Sequence, residues 1–191
     1  MEIAAVILAG GKSRRMGRDK LELSIGGETL LESSVKRFSE AFRDVFISVA
    51  DAGKYPEITA QRIVDVLPGA GPLSGLHASL SAVAADGVFL VAADLPFASA
   101  LLAKRIIGLT GDKEAGVIRL HDGKLEPLFA LYRTSLLSRC EAAIVSGDNR
   151  MTGVIFSADT RYIDTGELGD LWDEKAIVNI NSPEDYRKYL L

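Results

Sequence analysis

Residues 4–20 read AAVILAGGKSRRMGRDK and form the most informative segment of the chain. Its apolar part, Ala4–Leu8, is typical of a strand buried on both faces of a largely parallel sheet. Two glycines follow directly, and then five cations and a single acid lie within residues 11–20. Glycines let a backbone approach a ligand closely, and their N–H groups bind phosphate oxygens. The stretch therefore predicts a strand followed by a loop that holds a polyphosphate.

The distribution of charge supports a small anionic ligand. The chain carries 22 basic and 26 acidic residues, for a net charge of −4. Residues 11–20 contribute five basic residues and one acidic residue, or +4, so the remainder carries −8. Nucleic-acid binding is disfavoured, because it spreads positive charge along a face. A basic loop that is merely solvated is the alternative, and the glycines at positions 10, 11 and 17 argue against it.

Length and composition bound the class of protein. With 191 residues and 48% hydrophobic content, we expect a single domain over residues 1–191. No apolar run approaches the ~20 residues of a membrane helix, and the N-terminal run does not have the form of a signal peptide. The single cysteine, Cys140, excludes an internal disulfide, and its spacing from Leu136 and Ile144 favours a core position over a nucleophile. We expect a cytoplasmic protein with no membrane partner.

Apolar runs alternate with segments of helical spacing along the chain. Val45–Val49 and Val88–Ala92 repeat the pattern of the first strand, with helical patterns between the runs. In the second half, Gly116–Leu120 and Leu128–Tyr132 flank a turn at Asp122-Gly123, which predicts antiparallel pairing there. The fold class predicted is α/β: a three-layer α/β/α sandwich around a Rossmann-like, mostly parallel sheet with an antiparallel part in the C-terminal half.

The loops that follow the strands should form the ligand site. In an open α/β sheet, ligands bind beyond the carboxyl ends of the strands. Asp94 follows one apolar strand, and Asp65 follows another and leads into the stiff Pro68–Pro72 loop. Asp94 is the natural Mg²⁺ ligand, because Mg²⁺ bound with phosphates takes one or two carboxylates. The alternative role for Asp94 is a helix N-cap, but Ser99 lies closer to the next helix.

Two familiar phosphate-binding motifs are excluded. Gly11-Lys12-Ser13 imitates the end of a Walker A loop, but the required earlier glycine is replaced by Val6 within the strand. The dinucleotide pattern G-x-G-x-x-G also fails, because the first two glycines are adjacent. Neither a P-loop hydrolase nor a nicotinamide enzyme is supported.

The stretch LAGGKSRRMGRDK resembles the signature loop of the nucleotidyltransferases that join an NTP to a phosphorylated acceptor. Within them it is most similar to the molybdenum cofactor guanylyltransferases. The resemblance extends over nearly the whole chain. The other segments that carry it are Gly71–Leu76 (GPLSGL), Ala93–Pro96 (ADLP), His121–Gly123 (HDG), Pro127–Tyr132 (PLFALY), Gly147–Met151 (GDNRM) and Val178–Asp185 (VNINSPED). It implies the nucleotidyltransferase fold.

The resemblance also implies a set of site residues. The nucleotide-binding positions are Leu8, Ala9, Gly10, Lys20, Asp65 and Asp94. In the family, the first three correspond to backbone contacts with the nucleotide, Lys20 to a GTP-binding lysine and Asp94 to the residue that binds both GTP and Mg²⁺. The chain departs from the family at Ser48, where some members have asparagine, so the contact made there is in question.

The reaction implied is transfer of GMP from GTP to the terminal phosphate of molybdopterin, with release of pyrophosphate. Both reactants are anions, so catalysis depends on neutralising charge and on in-line alignment. We assign Arg15 and Lys20 to the phosphates and Asp94 to Mg²⁺. Arg14 and Arg18 suit the same role by residue type, and only the motif match prefers Arg15.

Four other polar residues have less certain roles. Asp65 is suited to accept the N1–H and N2–H₂ donors of guanine, an edge that adenine lacks. Asn181 is either a helper near the metal and phosphates or an amide that ties its loop to the helix beginning at Ser182-Pro183. His77 and His121 are interpreted as structural, because a phosphate nucleophile needs no base.

The acceptor side is less well specified. Four cations are candidates for a pterin site or are solvated surface, which we favour for most of them: Arg119, Lys124, Arg133 and Arg150. The expected partners are GTP and a molybdopterin-type acceptor, with proteins of molybdenum insertion or molybdoenzyme maturation as further candidates. A nucleotidyltransferase with another NTP and acceptor is the nearest alternative, and a non-catalytic nucleotide-binding adaptor is the alternative of another class.

Overall fold

The computed structural model describes residues 1–10 and 20–190. Within these residues nine strands are formed: β1 Ile3–Leu8, β2 Ser24–Ile25, β3 Glu28–Thr29, β4 Val45–Val49, β5 Gln61–Val64, β6 Gly87–Ala92, β7 Ala115–Arg119, β8 Leu125–Arg133 and β9 Thr160–Asp164. The α-helices of the same part are α1 Leu30–Ser39, α2 Pro72–Ala82, α3 Ala100–Thr110, α4 Leu137–Ser146, α5 Met151–Ser157 and α6 Pro183–Leu190. Short 3₁₀ turns lie at Lys20–Glu22, Thr134–Leu136, Thr165–Leu171 and Glu174–Ile177.

Seven strands form the main sheet in the order β5-β4-β1-β6-β8-β7-β9. β5, β4, β1 and β6 pair in parallel, β8 runs antiparallel to both of its neighbours, and β7 pairs in parallel with β9. Only β8 therefore opposes the common direction in this sheet. The predicted mostly parallel sheet with an antiparallel part in the C-terminal half is confirmed.

Each face of the sheet is covered by helices. On one face, Phe38 of α1 and Ile106 of α3 join a buried apolar cluster with Phe89 of β6. On the other face, Leu76 of α2 and Cys140 of α4 belong to a second cluster, which α5 completes. The three-layer sandwich expected from the sequence is thus confirmed. Burial of this apolar surface is the main stabilising term of such a fold.

Cys140 lies in the core, as its spacing predicts. The residue is fully buried, and this burial raises the pKa of the Cys140 thiol to about 12. A thiol with so high a pKa carries almost no thiolate at neutral pH and is a poor nucleophile. In the described part of the chain, no helix is long and apolar enough to span a membrane.

A small hairpin and the C-terminal helix form a subsidiary unit beside the sheet. β2 and β3 pair through a turn at Gly26-Gly27, where both glycines have positive φ, of 60° and 94°. This geometry is that of a type I′ turn. Thr29 then caps α1 through a capping box with Glu32. Ile180 packs with Leu23 and Leu30 of this region, and α6 covers the cluster.

Gly75 allows α2 to lie directly on the ends of two strands. A Cβ at this position would be 2.6 Å from Leu8 Cδ2 and 2.7 Å from Ser48 Oγ, both of which are buried. We expect Gly75→Ala to destabilise the protein by about 1–3 kcal/mol, because an overpacked core must shift its backbone or its rotamers. Urea unfolding measures this change.

The matched control is Gly108→Ala in α3. A Cβ at Gly108 meets nothing within 4 Å, so Gly108→Ala replaces a glycine inside the helix without causing a clash. We expect it to be neutral or stabilising by about 0.5–1 kcal/mol. Equal effects of the two substitutions would contradict the close approach of α2.

Candidate active site

The ends of the parallel strands bring four chain segments to one rim. In the sheet register, Leu8 lies beside Ser48 of β4 and beside Ala92 of β6. Just beyond the strands, Ala9 N donates to Ser48 O at 2.9 Å, and Asp65 N donates to Val49 O at 3.1 Å. The predicted positions at the ends of β1, β5 and β6 therefore lie on one edge of the sheet, with β4 between β5 and β1.

Lys20 and Asp94 meet at this rim although 74 residues separate them. Lys20 Nζ forms an ion pair with Asp94 Oδ2 and also donates to Asn181 Oδ1 at 2.8 Å. The side chains of Lys20 and Asp94 are 18% and 15% exposed, so the pair is largely shielded from water yet open on one side. Such a pair is stronger than one on the open surface, because water screens it less.

Burial of Ile180 explains why Asn181 reaches this pair. Ile180 is fully buried, and its N–H donates to the Asp94 carbonyl at 3.0 Å. The next residue, Asn181, therefore lies beside Asp94. Its side-chain oxygen faces Lys20, whereas capping of α6 is done by Ser182, whose hydroxyl accepts from Asp185 N at 3.1 Å. Of the two roles open for Asn181, this geometry favours that of a helper at the charged centre.

Asp65 lies on the rim and forms no ion pair with any cation among the described residues. Burial raises the pKa of the Asp65 carboxyl from its ordinary value. Within the part of the chain that the structure describes, no hydrogen bond or ion pair reaches this carboxylate. A desolvated carboxylate without donors is costly, and a ligand that supplies N–H groups would remove that cost.

The loop between Asp65 and α2 is held by one hydroxyl. Ser74 Oγ donates to Leu67 O at 2.6 Å and accepts from Ala70 N at 3.0 Å. Gly69 and Gly71 have φ of 103° and 60°, a region that side chains rarely adopt. Gly69 and Gly71 are therefore required by the backbone conformation of this segment.

Glu126 is a second carboxylate beside Asp94 that the sequence reasoning missed. β8 pairs with β6 so that Phe129 lies opposite Val91, and continuing this register places Glu126 across from Asp94. Burial raises the pKa of Glu126, and the negative charge of Asp94 adds to the effect. Glu126 also accepts a hydrogen bond from Leu128 N at 3.1 Å. No local pattern in the sequence indicates this position of Glu126, because it depends on the register between β6 and β8.

Several predicted residues are not brought to this centre or lie outside the described residues. Arg14, Arg15 and Arg18 belong to residues 11–19, so the choice among them stays a prediction. Ala9 and Gly10 are at the rim, where Tyr55 Oη donates to Ala9 O at 3.3 Å. A Cβ at Gly10 would meet nothing within 4 Å, which leaves the backbone there open to a ligand.

The candidate acceptor cations pair with nearby groups. Arg119, Lys124 and Arg150 form ion pairs with neighbouring aspartates on the surface. Arg133 lies opposite Gly87, at the far end of the sheet from Asp94, and donates to backbone carbonyls there. The position of Arg133 excludes it from a site at the rim.

The two histidines lie on α2 and beside the 3₁₀ turn at Thr165–Leu171. His77 is buried within α2, and His121 is exposed and lies 3.1 Å from Thr165 Oγ1 through Nε2. Among residues 1–10 and 20–190, no cluster of three or more His, Cys, Asp or Glu is placed to hold a metal ion. As far as these residues go, the centre consists of the Lys20 ammonium group facing the Asp94 carboxylate and the Asn181 amide oxygen.

Comparison with known proteins identifies the family. Residues 5–161 match the model of the MobA-like NTP transferase domain. The chain belongs to this family. Two relatives align with this MobA-like chain over almost its whole length. A probable molybdenum cofactor guanylyltransferase of Mycolicibacterium paratuberculosis is 34% identical over 192 residues, covering 98% of this chain and 94% of the relative. Another of Chloroflexus aggregans is 32% identical over 195 residues, covering 98% and 93%.

Solved structures superpose on this MobA-like chain over almost its whole length. Molybdopterin-guanine dinucleotide biosynthesis protein A of Archaeoglobus fulgidus superposes with a TM-score of 0.84 at 24% identity, covering 97% of this chain and 96% of that one. A 2-C-methyl-D-erythritol 4-phosphate cytidylyltransferase of Thermus thermophilus also superposes, with a TM-score of 0.68 at 19% identity, covering 98% and 97%. Because the second structure is named for cytidylyl transfer, the fold alone does not decide which base is used. The predicted nucleotidyltransferase fold is confirmed.

Proposed function

We propose that this nucleotidyltransferase transfers GMP from GTP to the terminal phosphate of molybdopterin and releases pyrophosphate. An acceptor phosphate oxygen attacks the α-phosphorus of GTP, and the bond from that phosphorus to the β-phosphate oxygen breaks. The observation that carries the proposal is the convergence of Lys20, Asp94 and Asn181 at the rim beside the strand ends. The names of the relatives, at about one-third identity over nearly the whole chain, support the acceptor.

Groups of the chain itself neutralise negative charge on the reacting phosphates. Lys20 supplies a fixed positive charge to the triphosphate, where negative charge increases on the leaving pyrophosphate. The segment from Leu8 to Gly10 offers backbone groups to the nucleotide, and the absence of a side chain at Gly10 leaves room for it. No proton has to be removed from the acceptor, because a phosphate monoester is already anionic near neutral pH. Neither histidine is therefore needed as a base: His77 is buried in α2, and His121 contacts Thr165.

The centre fits Mg²⁺. Asp94 Oδ2 and Asn181 Oδ1 both lie within hydrogen-bond reach of the one ammonium group of Lys20, so they already converge on a cation. Both are hard oxygen ligands, and Mg²⁺ bound with phosphates requires few protein ligands. Mg²⁺ held by Asp94 would neutralise and orient the phosphate oxygens of GTP. Lys20 then turns from Asp94 to the phosphates, which replace the carboxylate as its partner.

Asp65 supports guanine as the base. Its carboxylate is half-buried, and burial raises the pKa of Asp65. Guanine presents two adjacent donors, N1–H and N2–H₂, which match the two oxygens of a carboxylate, whereas adenine and cytosine do not present this pair. A base without the pair leaves the buried group unsatisfied, which is a strong basis for discrimination.

The experiment that tests the proposal measures pyrophosphate release from GTP, CTP and ATP, each with molybdopterin, with a sugar phosphate and without acceptor, in the presence of Mg²⁺. We expect release only with GTP and molybdopterin, together with the dinucleotide product. A preference for CTP, or for another acceptor, would contradict this function and indicate a nucleotidyltransferase with a different nucleotide or acceptor. GTP binding without turnover on any acceptor would favour a nucleotide-binding adaptor.

Replacement of Asp65 by asparagine tests the base. We expect Asp65→Asn to weaken GTP binding by about tenfold to a hundredfold, because it removes a charged acceptor and places an NH₂ group against the donors of guanine. Binding of ATP should change by less than about twofold. Isothermal titration with both nucleotides measures the difference.

The control for this variant is Asp44→Asn. Asp44 lies just before β4, at the opposite end of that strand from the rim. Asp44→Asn makes the same change in charge as Asp65→Asn but away from the site, so the affinity for GTP should be unaltered. An equal loss of GTP and ATP affinity in Asp65→Asn would reject the guanine contact and indicate a contact with the ribose or phosphates.

A further inference from the structure

Arg37 of α1 reaches across to the loop that carries Asp94. Its Nη1 donates to Pro96 O, and its Nη2 donates to Leu95 O at 3.4 Å. These are the carbonyls of the two residues that directly follow Asp94. The contact joins positions 59 and 58 residues apart, so it does not arise from local chain geometry.

The environment of Arg37 is unusual for a guanidinium group. Burial lowers the pKa of Arg37, and Nε is buried without a hydrogen-bond partner in the described part of the chain. No carboxylate pairs with this group among those residues, so backbone carbonyls alone compensate its charge. Burying a charge in this way opposes folding, and packing alone could be met by an apolar side chain.

Packing already fixes the position of the loop, so the guanidinium must contribute something else. Leu95 is fully buried in the apolar cluster on the α1 and α3 face. Packing of Leu95 anchors the loop but does not set how its peptide planes are rotated. The Leu95 carbonyl also accepts from Ala98 N at 3.2 Å, and the planar fork of Arg37 ties this carbonyl to the next one, that of Pro96, so that the two peptide planes are fixed together. From the other side, Ile180 N holds the carbonyl of Asp94 at 3.0 Å.

We propose that Arg37 is a positioning residue for the metal-binding carboxylate. By fixing the peptide groups at Leu95 and Pro96, it holds Asp94 in the orientation in which its carboxylate faces Lys20 and Asn181. This inference rests on the proposed function, because it takes Asp94 as the Mg²⁺ ligand. Groups that orient a metal-binding carboxylate typically change metal affinity by about tenfold to a hundredfold when they are removed.

The test measures how strongly Mg²⁺ and GTP bind together. GTP is titrated into the protein with and without Mg²⁺, and the ratio of the two dissociation constants is the Mg²⁺ coupling. Arg37→Met fills the same space without donors. We expect this variant to lose about tenfold or more of the coupling, while GTP binding without Mg²⁺ stays within about twofold. A purely structural role would not separate the two constants.

Arg133→Met is the matched control. Arg133 also donates to two backbone carbonyls, those of Lys113 at 2.8 Å and of Gly111, but at the far end of the sheet. Its removal should lower the unfolding temperature and leave the Mg²⁺ coupling unchanged. Equal coupling in Arg37→Met and Arg133→Met would overturn the proposal.

Arg37→Lys keeps the charge but loses the planar fork, so it should show a partial loss of coupling. If Arg37→Met does not fold, an unchanged coupling in Arg37→Lys overturns the proposal instead. Failure of the proposed function is distinguishable, because it appears as absence of pyrophosphate release from GTP and molybdopterin in the wild-type protein, whereas the role of Arg37 is judged from the Mg²⁺ coupling alone. If the wild-type protein shows Mg²⁺ coupling and both Arg37→Met and Arg37→Lys retain it, only the role of Arg37 is rejected.

Discussion

Asp94→Ala is expected to abolish Mg²⁺-dependent GMP transfer, with a loss of at least about a thousandfold, and to leave the fold intact. The carboxylate is the only proposed protein charge on the metal, so its removal takes away the cation that neutralises the phosphates. The fold should persist because the backbone of Asp94, not its side chain, makes the contact with Ile180. Pyrophosphate release at saturating GTP and acceptor measures the loss, and circular dichroism with thermal unfolding checks the fold.

The control for Asp94 lies at the other end of the same strand. Asp86 precedes β6, and its carboxylate accepts from Glu2 N at 2.8 Å on the exposed surface. Asp86→Ala makes the same change in net charge, and activity should stay within about twofold because surface charge at this distance is screened. Activity in Asp94→Ala above about a tenth of wild type would remove Asp94 from the reaction centre.

Asp94→Asn distinguishes the role of Asp94 in metal binding from its role as the partner of Lys20. The amide keeps the size and one oxygen of the carboxylate, so it can still accept a hydrogen bond from Lys20. It loses the negative charge that a hard divalent cation requires. We therefore expect this variant to fold normally, to bind GTP equally with and without Mg²⁺, and to be nearly as inactive as Asp94→Ala.

The sequence predicts the sheet and its rim because buried strands have a strong local signal. Ala4–Leu8 and Val88–Ala92 are near-continuous apolar runs, and the structure places them side by side in parallel. Once the strands are parallel, residues just beyond their ends must lie at one edge. The meeting of Asp94 with the end of β1 is therefore a consequence of strand order and needs no further information.

Other features of the site could not be predicted because no local pattern encodes them. The contact of Arg37 with the Asp94 loop depends on how α1 packs on the sheet, and a basic residue on a helix face is ordinarily solvated surface. Glu126 requires the register between β6 and β8, which a turn prediction at Asp122-Gly123 does not specify. Asn181 has two open roles until the burial of Ile180 fixes its position.

Some elements were missed despite available signals. The pair Gly26-Gly27 between two short strands is a typical hairpin turn, yet it was not recognised beside the basic loop. α5 and β9 in the C-terminal half are only seven and five residues long, and such short elements depend on tertiary packing. Missing β9 does not affect the rim, because β9 lies at the far edge of the sheet from β1. The hairpin region does affect it, because Ile180, which precedes Asn181, packs on Leu23 and Leu30 there.

Lys20→Ala is expected to lower turnover by about a hundredfold to a thousandfold, comparable to loss of one charge contact in a transition state. Mg²⁺ binding should not weaken in this variant, because Lys20 competes with the metal for Asp94 in the free protein. Its removal also takes a positive charge away from Asp94, whose negative charge acts on Glu126, and this favours binding of a cation at Asp94. The expected signature is thus a large fall in kcat with an unchanged or lower Mg²⁺ requirement.

Single-turnover GMP transfer at saturating GTP, repeated over a series of Mg²⁺ concentrations, separates these two effects. Lys113→Ala is the control, because Lys113 pairs with Asp159 at 3.0 Å on the exposed surface at the end of the sheet away from the rim. A change in kcat below about tenfold would make Lys20 peripheral to the phosphates. A higher Mg²⁺ requirement in Lys20→Ala would mean that the lysine holds Asp94 in place for the metal and does not compete with it, and the exchange of partners proposed for Lys20 would then be wrong.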